Sequence, residues 1–277
     1  MGALDGRVAV ITGAGRGIGR EHALLFAAEG AQVVVNDFDA DVAQTVAKQV
    51  GGVAVAGDVS SWDVAQALVD EAVSHFGRLD ALVNNAGILR DRFLADMTEA
   101  EWDAVIVVHL KGHFAPLHHA AAYWKAASKR GEAVQGAVVN TASASGTFLP
   151  NPGQINYGAA KAGIAAMTLV AAQELGRYGV CVNGIAPVAR TRLTEDVPVV
   201  GQMVAAPSDE NEFDTYHPSH VSPLVAYLCS AGCRITGKLF AVQGGLIQEL
   251  DGWRGGTSYE TSGPWSVATV QARLEAD

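Results

Sequence analysis

The chain has 277 residues, of which 49% are hydrophobic and 17% charged, and its net charge is −10. That length and apolar content suit one large α/β unit whose sheet is buried on both faces. The acidic balance speaks against a nucleic-acid partner, which needs clustered Lys and Arg, and no apolar run approaches the ~20 residues of a membrane-spanning helix.

The first six residues, Met1 to Gly6, lack the basic-then-apolar order of a secretion signal, so a cytoplasmic protein is expected. A β-branched run at 7–12 predicts the first strand, and a helical segment follows at 17–29. Between them lies Thr12-Gly13-Ala14-Gly15-Arg16-Gly17-Ile18-Gly19, with more glycine than a turn requires. Glycines there let the backbone approach a pyrophosphate, and the helix N-terminus supplies oriented N–H groups and a favourable dipole. The spacing is not G-x-G-x-x-G, because Ile18 and Arg20 break it, and the Lys-Ser/Thr ending of a nucleoside-triphosphate loop is missing. Dinucleotide binding is the expectation, with Gly13, Arg16, Gly17, Ile18 and Gly19 as its residues.

The second strand, 32–37, ends in Asp37, about 20 residues beyond the glycine loop. A carboxylate there accepts hydrogen bonds from an adenosine ribose and repels a 2′-phosphate, which favours NAD over NADP; the bland alternative is a helix-capping acid. A helix at 41–50 and a strand at 53–58 come next, with Asp58 and Val59 expected to border the adenine. A helix at 62–76 precedes the strand 81–84 and its continuation Asn84-Asn85-Ala86-Gly87. The long helical segment at 97–127 carries His109, His113, His118 and His119, with Gly112 and Pro116 disturbing the helix and no interleaved carboxylate, so a metal site is not expected.

A strand at 137–141 leads to Ser143, and a helix at 157–178 opens with Tyr157-Gly158-Ala159-Ala160-Lys161. Tyrosine and lysine four apart share one helical face. An unperturbed phenol titrates near pH ~10, and a neighbouring ammonium favours its ionised form, giving a base for proton transfer. The strand at 180–185 contains Cys181, which with Cys229 and Cys233 makes an odd set expected to be reduced. The insertion 194–218, holding Asp209-Glu210-Asn211-Glu212, is expected to be a substrate lid or surface loop. A strand at 239–242 follows, and the tail 252–277 ends in a helical run at 267–275. Alternating strands and helices imply an α/β fold: a mostly parallel sheet of about seven strands with helices on both faces, in a single domain spanning 1–277.

In order, Thr12-Gly13-x-x-x-Gly17-x-Gly19, Asn84-Asn85-Ala86-Gly87, Ser143, Tyr157-x-x-x-Lys161 and Asn183-Gly184-Ile185-Ala186-Pro187 with Thr191 resemble the classical short-chain dehydrogenase/reductase family over about residues 6–250. The resemblance implies a Rossmann-like doubly wound sheet binding NAD, with Tyr157 as general base. Lys161 would lower the Tyr157 pKa and hold the nicotinamide ribose, Ser143 would stabilise the reacting oxygen, and Thr191 would contact the carboxamide. Pro187 would border the cofactor, and Asn85, Ala86 and Gly87 would support it. Val108-His109-Leu110-Lys111-Gly112, Ser143-Ala144-Ser145-Gly146 and Arg190-Thr191-Arg192-Leu193-Thr194 are similar to the branch that oxidises (3R)-hydroxyacyl-CoA, some members of which accept hydroxysteroids. Homotetramers formed through the long helices are the family's habit.

The chain departs from the pattern at three points. His109 stands where the family has a relay asparagine, either continuing the relay or simply packing. Val188 replaces a glycine and is expected to narrow the nicotinamide side. The span from Ser143 to Tyr157 is one residue long, so Ser145 is a second candidate for the serine role. Two other readings are an NADPH-dependent ketoreductase and an inactive NAD-binding sensor; Asp37 speaks against the first, and the set Ser143, Tyr157 and Lys161 against the second.

Overall fold

The near-continuous apolar runs become the middle of a sheet. In β1 (Val8–Ile11), β4 (Ala81–Asn84) and β5 (Gly136–Thr141) every residue is buried, as expected of parallel strands covered on both faces. A computed structural model describes residues 2–195, 198–209, 212–252 and 255–275. On one side of β1 lie β2 (Gln32–Asp37) and β3 (Val53–Ala56); beyond β5 lie β6 (Val180–Pro187), β7 (Leu239–Gln243) and β8 (Leu246–Leu250). The sheet order is β3-β2-β1-β4-β5-β6-β7-β8, with only the last pair antiparallel.

Alternation along each strand divides the core in two. Ala9 and Ile11, Val33 and Val35, Val83 and Val139 face one layer, packed with α1 (Gly17–Ala28), α2 (Ala40–Val50) and α9 (Ser222–Leu228). Val8 and Val10, Val34, Leu82 and Val138 face the other, against α3 (Trp62–Phe76), α5 (Gly112–Lys129) and α6 (Ile155–Leu175). The sequence pattern leads to about seven strands, and the structure adds β8 after the turn Gly244-Gly245, where Gly244 has φ +46°. Most of β8 is exposed, so it lacks the apolar run that marks a buried strand.

The long helical segment is interrupted. α4 (Glu99–Ile106) starts at a capping box: Thr98 Oγ1 accepts from the Glu101 N–H and Glu101 Oε2 accepts from the Thr98 N–H. A π-turn over Val107–Lys111 follows, and α5 then runs through Pro116 without a break. The disturbance expected at Gly112 and Pro116 therefore falls one turn earlier, around His109; such π-turns gather at functional sites.

The insertion contains two short helices, α7 (Arg192–Glu195) and α8 (Pro198–Met203). It is anchored at the end of β6, where Arg190 pairs with Asp214 and its N–H donates to the Tyr216 carbonyl at 2.7 Å. Asp196, Val197, Glu210 and Asn211 of the predicted lid, and Trp253, Arg254, Ala276 and Asp277 of the tail, lie outside the described residues. In the tail, α10 (Val267–Leu274) forms, and every described residue from 255 onward is exposed. No helix among the described residues is long and apolar enough to cross a membrane.

Leu82, fully buried in β4 and distant in role from any polar group, reports on this core. Leu82→Ala is expected to lower unfolding free energy by about 2–5 kcal/mol; a denaturant titration showing a loss well under 1 kcal/mol would place Leu82 outside the cooperative core.

Candidate active site

From β1 the chain winds outward to β2 and β3, and from β4 it winds outward the other way. Such a reversal opens a crevice at the carboxyl ends of the strands. A cleft of about 680 Å³ lies there, within the roughly 300–1,000 Å³ typical of ligand sites. All the site residues expected from the sequence line it except Gly19 and Ser143.

At one end the glycine loop folds tightly against the turn after β4. Gly13 has φ +59°, and a Cβ on it would sit 2.8 Å from the Ala86 Cα. Gly19 has a different task from lining: a Cβ there would strike the Gly13 carbonyl oxygen at 2.2 Å and Asn85 Nδ2 at 2.5 Å. The Asn85 amide donates to the carbonyls of Thr12 (3.1 Å) and Gly13 (3.2 Å), while Thr12 Oγ1 accepts from the N–H groups of Asn85 and Ala86. Asn85 and Ala86 thus clamp the loop that Gly17 and Ile18 continue into α1.

Asp37 borders the same end. Its Oδ2 accepts from the Gly15 N–H (3.0 Å) and its Oδ1 from the Asp39 N–H (3.1 Å), which also sets the glycine loop. Arg16 forms an ion pair with Asp39 at 2.9 Å, and Asp58 accepts from the Ser60 N–H and hydroxyl. Asp39 and Phe38 line the cleft without having been expected. Their signal was their place directly after the strand-ending acid; Phe38 is 80% exposed, which is unusual for a large apolar residue.

At the other end Tyr157 and Lys161 descend from the first turns of α6. Asn156 fixes that turn: its amide donates to the Arg90 carbonyl at 2.9 Å, and its Oδ1 accepts from the Tyr157 N–H at 2.7 Å. Lys161 is buried, donates to the Thr141 carbonyl at 2.5 Å, and lies 5.5 Å from the centre of the Tyr157 ring. Burial lowers the Lys161 pKa to about 7. Tyr157 is only partly open to the cleft and densely packed around its hydroxyl. Burial raises its pKa, the Ser143 hydroxyl opposes this, and the charge of Asp91 adds to it. The protein's own groups therefore leave Tyr157 raised rather than lowered as expected, since burial outweighs the Ser143 hydroxyl and the same dry surroundings penalise both phenolate and ammonium.

The two serines differ in their partners. Ser145 Oγ donates to Gln154 Oε1 (3.1 Å) and accepts from Asn151 Nδ2 (2.8 Å), whereas Ser143 faces Tyr157. Val188, expected to narrow the cleft, does not line it; its N–H donates to the Val242 carbonyl at 3.0 Å, and Pro187, Ala189 and Thr191 line the cleft instead.

His109 is buried in the π-turn, its ring edge-on to Tyr157 with centres 5.2 Å apart. Its Nε2 lies 3.0 Å from the Ile88 nitrogen and 2.7 Å from the Ile88 oxygen, so it accepts from the N–H in one tautomer or donates to the carbonyl in the other. Burial, then the charge of Lys161, lowers its pKa to about 3, leaving a neutral ring. Gly87 makes room for it: a Cβ there would lie 2.4 Å from His109 Cε1.

The residues present fit a dinucleotide. Glycines carry a backbone cradle that side chains would fill, carboxylates stand at one end, and a lysine, a tyrosine and a serine stand at the other.

A family model described as short chain dehydrogenase matches residues 7–198. The hydroxyacyl-CoA dehydrogenase ChsB1 of Mycobacterium tuberculosis is 49% identical over 255 residues, covering 87% of this chain and 78% of that protein. Peroxisomal multifunctional enzyme type 2 of Drosophila melanogaster is 40% identical over 263 residues; the match covers 91% of this chain but only 41% of that protein. The crystal structure of a short chain dehydrogenase from Mycobacterium avium superposes with a TM-score of 0.87 at 50% identity, over 99% of this chain and 96% of the other.

The contact at Gly87 yields a coupling test. Gly87→Ala is expected to destabilise the protein by about 1–3 kcal/mol through overpacking. In a His109→Ala background most of that cost should vanish, because the clashing ring is gone; additive losses in a double-mutant cycle of unfolding free energies would show that the two do not press on each other.

Proposed function

The chain belongs to the short-chain dehydrogenase family, and we propose that within it the protein is an NAD-dependent oxidoreductase that interconverts a secondary alcohol and a ketone, with a (3R)-hydroxyacyl-CoA as substrate and a hydroxysteroid as the second candidate. The observation that carries the reading is the meeting of Tyr157 and Lys161 at one end of a cleft, with Ser143 hydrogen-bonded to Tyr157 behind its wall, the other end being bordered by the glycine loop and by Asp37, Asp39 and Asp58. Likeness to a relative named as a hydroxyacyl-CoA dehydrogenase supports the substrate class. Phe93 and Leu94, and Phe148 and Leu149, all more than half exposed on two segments joined by the Arg92–Gln154 bridge, offer apolar surface of the kind an acyl chain or steroid would use.

When bound, the nicotinamide cofactor supplies the two-electron acceptor for the hydride of the carbinol carbon. Tyr157, as phenolate, takes the hydroxyl proton as the carbon–oxygen bond becomes a carbonyl. Ser143 hydrogen-bonds the reacting oxygen and stabilises its charge. Lys161, when protonated, favours the phenolate and offers donors to the nicotinamide ribose, with Thr191 and Pro187 bordering that end. Gly13, Arg16, Gly17 and Ile18 would receive the pyrophosphate and Asp37 the adenosine ribose, with Asp58 and Val59 available to the adenine. Carboxylates at the ribose end speak against a 2′-phosphate and so against an NADPH-dependent ketoreductase. Retention of all three catalytic side chains speaks against an inactive sensor. Exposed Phe114 on α5 and Val170 on α6 support association through the long helices.

Initial rates with NAD across hydroxyacyl-CoAs of increasing chain length and a set of hydroxysteroids test the substrate class. An optimum among the thioesters is expected, and turnover of neither group would overturn the assignment. Asp37→Ala is expected to narrow the ratio of kcat/KM for NAD over NADP by about tenfold or more, the equivalent of ~1.4 kcal/mol. An unchanged ratio would remove Asp37 from the ribose site.

A further inference from the structure

The cleft holds two cations that no step above employs. Arg16, Arg90, Lys161 and Arg192 are its lysine and arginine side chains among the described residues. Arg16 is paired with Asp39, and Lys161 is buried against the Thr141 carbonyl. Arg90 and Arg192 are exposed, and among the described residues neither pairs with a carboxylate. Arg90 Nη1 donates to the Leu89 carbonyl at 2.7 Å, which leaves most of its five N–H donors open. Close neighbours in the chain are treated differently: Arg92 is tied to Glu101 at 2.9 Å, and Arg190 to Asp214. In each segment one arginine fixes the chain, and the other is left to the cleft.

The sheet order explains the placement. β4 leads into the segment of Arg90 and β6 into that of Arg192, and these strands flank β5 on its two sides. The two arginines therefore arise from the segments on either side of the one that carries Thr141 and Ser143. The carboxylates that line the cleft, Asp37, Asp39 and Asp58, lie at or just beyond the ends of β2 and β3, on the far side of β1. Asp91, next to Arg90 in the chain, does not line the cleft and accepts from Gln154 Nε2 at 2.8 Å.

A net charge of −10 repels an anionic substrate, and unpaired cations at a cleft reverse that field locally. A guanidinium presents planar donors that match phosphate oxygens. A hydroxysteroid has no charge for them to meet. An acyl-CoA carries phosphates on a nucleotide head, joined to the thioester by a long uncharged arm. With the cleft assigned to a dinucleotide, that head stays at the mouth, where exposed side chains can reach it. We propose that Arg90 and Arg192 are substrate-binding residues that take the phosphates of the coenzyme A head, and so select a hydroxyacyl-CoA over an uncharged alcohol. This rests on the hydroxyacyl-CoA reading given above and deepens it.

The test uses the full-length protein with three probes: a hydroxyacyl-CoA, the same hydroxyacyl group as its N-acetylcysteamine thioester, which has no phosphates, and free coenzyme A. Arg90→Gln and Arg192→Gln are each expected to raise KM for the hydroxyacyl-CoA by about fivefold, the upper range for an exposed ion pair, with kcat unchanged. Arg→Lys at either position should restore part of the loss, and high salt should shrink the gap between native protein and variants. KM for NAD, and kcat/KM for the N-acetylcysteamine thioester, should stay within about twofold of the native values. Calorimetry of coenzyme A with the NAD-loaded protein should show the two losses multiplying in the double variant. Equal losses on both thioesters, or a loss that falls on KM for NAD, would overturn the proposal. So would coenzyme A binding that is absent from the native protein or unmoved in the double variant. Coenzyme A binding that depends on both arginines, in a protein that oxidises no hydroxyacyl-CoA, would uphold this inference and sink the proposed function instead.

Discussion

The contact on which the site depends is that between the Lys161 ammonium and the Thr141 carbonyl. It joins α6 to the carboxyl end of β5, in a place dry enough to lower the Lys161 pKa to about 7. A buried charge is tolerated only when it is hydrogen-bonded. That requirement sets how deep α6 packs, and with it the position of Tyr157 one turn earlier. Ser143, two residues beyond Thr141, is brought to the phenol by the same junction. The outcome is a phenol that burial makes difficult to ionise, and its proposed role as base requires neighbouring groups to stabilise its charge.

The opposite end of the cleft is governed by close approach rather than by charge. Thr12 and Asn85 exchange hydrogen bonds across the reversal point of the sheet, and Gly13, Gly19 and Gly87 stand where a methyl group would collide with backbone, amide or imidazole. Asp37 belongs to both regimes, since its two oxygens already accept from the Gly15 and Asp39 N–H groups while it borders the cleft. On the proposed ribose role of Asp37, loop shape and ribose recognition would be coupled through one carboxylate.

Much of this was legible in the sequence, because strands buried on both faces must be apolar throughout and a dinucleotide loop must be rich in glycine. Asp37, Tyr157 and Lys161 stand at spacings that local geometry translates into shared faces and ends. What was not legible arises from packing between distant segments. β8 is exposed and carries no strand signature. The π-turn at His109 departs from helix without departing from helical composition. The rise of the Tyr157 pKa on burial needs the three-dimensional surroundings, as does the pairing of Ser143 with Tyr157 and of Ser145 with Gln154 and Asn151. Asp39 carried no signal of its own until the fold brought it to the cleft.

The central claim is that Tyr157 acts on the reacting proton and contributes little to holding the cofactor. Tyr157→Phe removes one hydroxyl from a ring that remains packed, so NAD binding measured by calorimetry should stay within about threefold of the native protein, or ~0.7 kcal/mol, while turnover of a responsive hydroxyacyl-CoA falls by at least about a thousandfold. Substantial turnover in that variant, or loss of binding in step with loss of activity, would contradict the account.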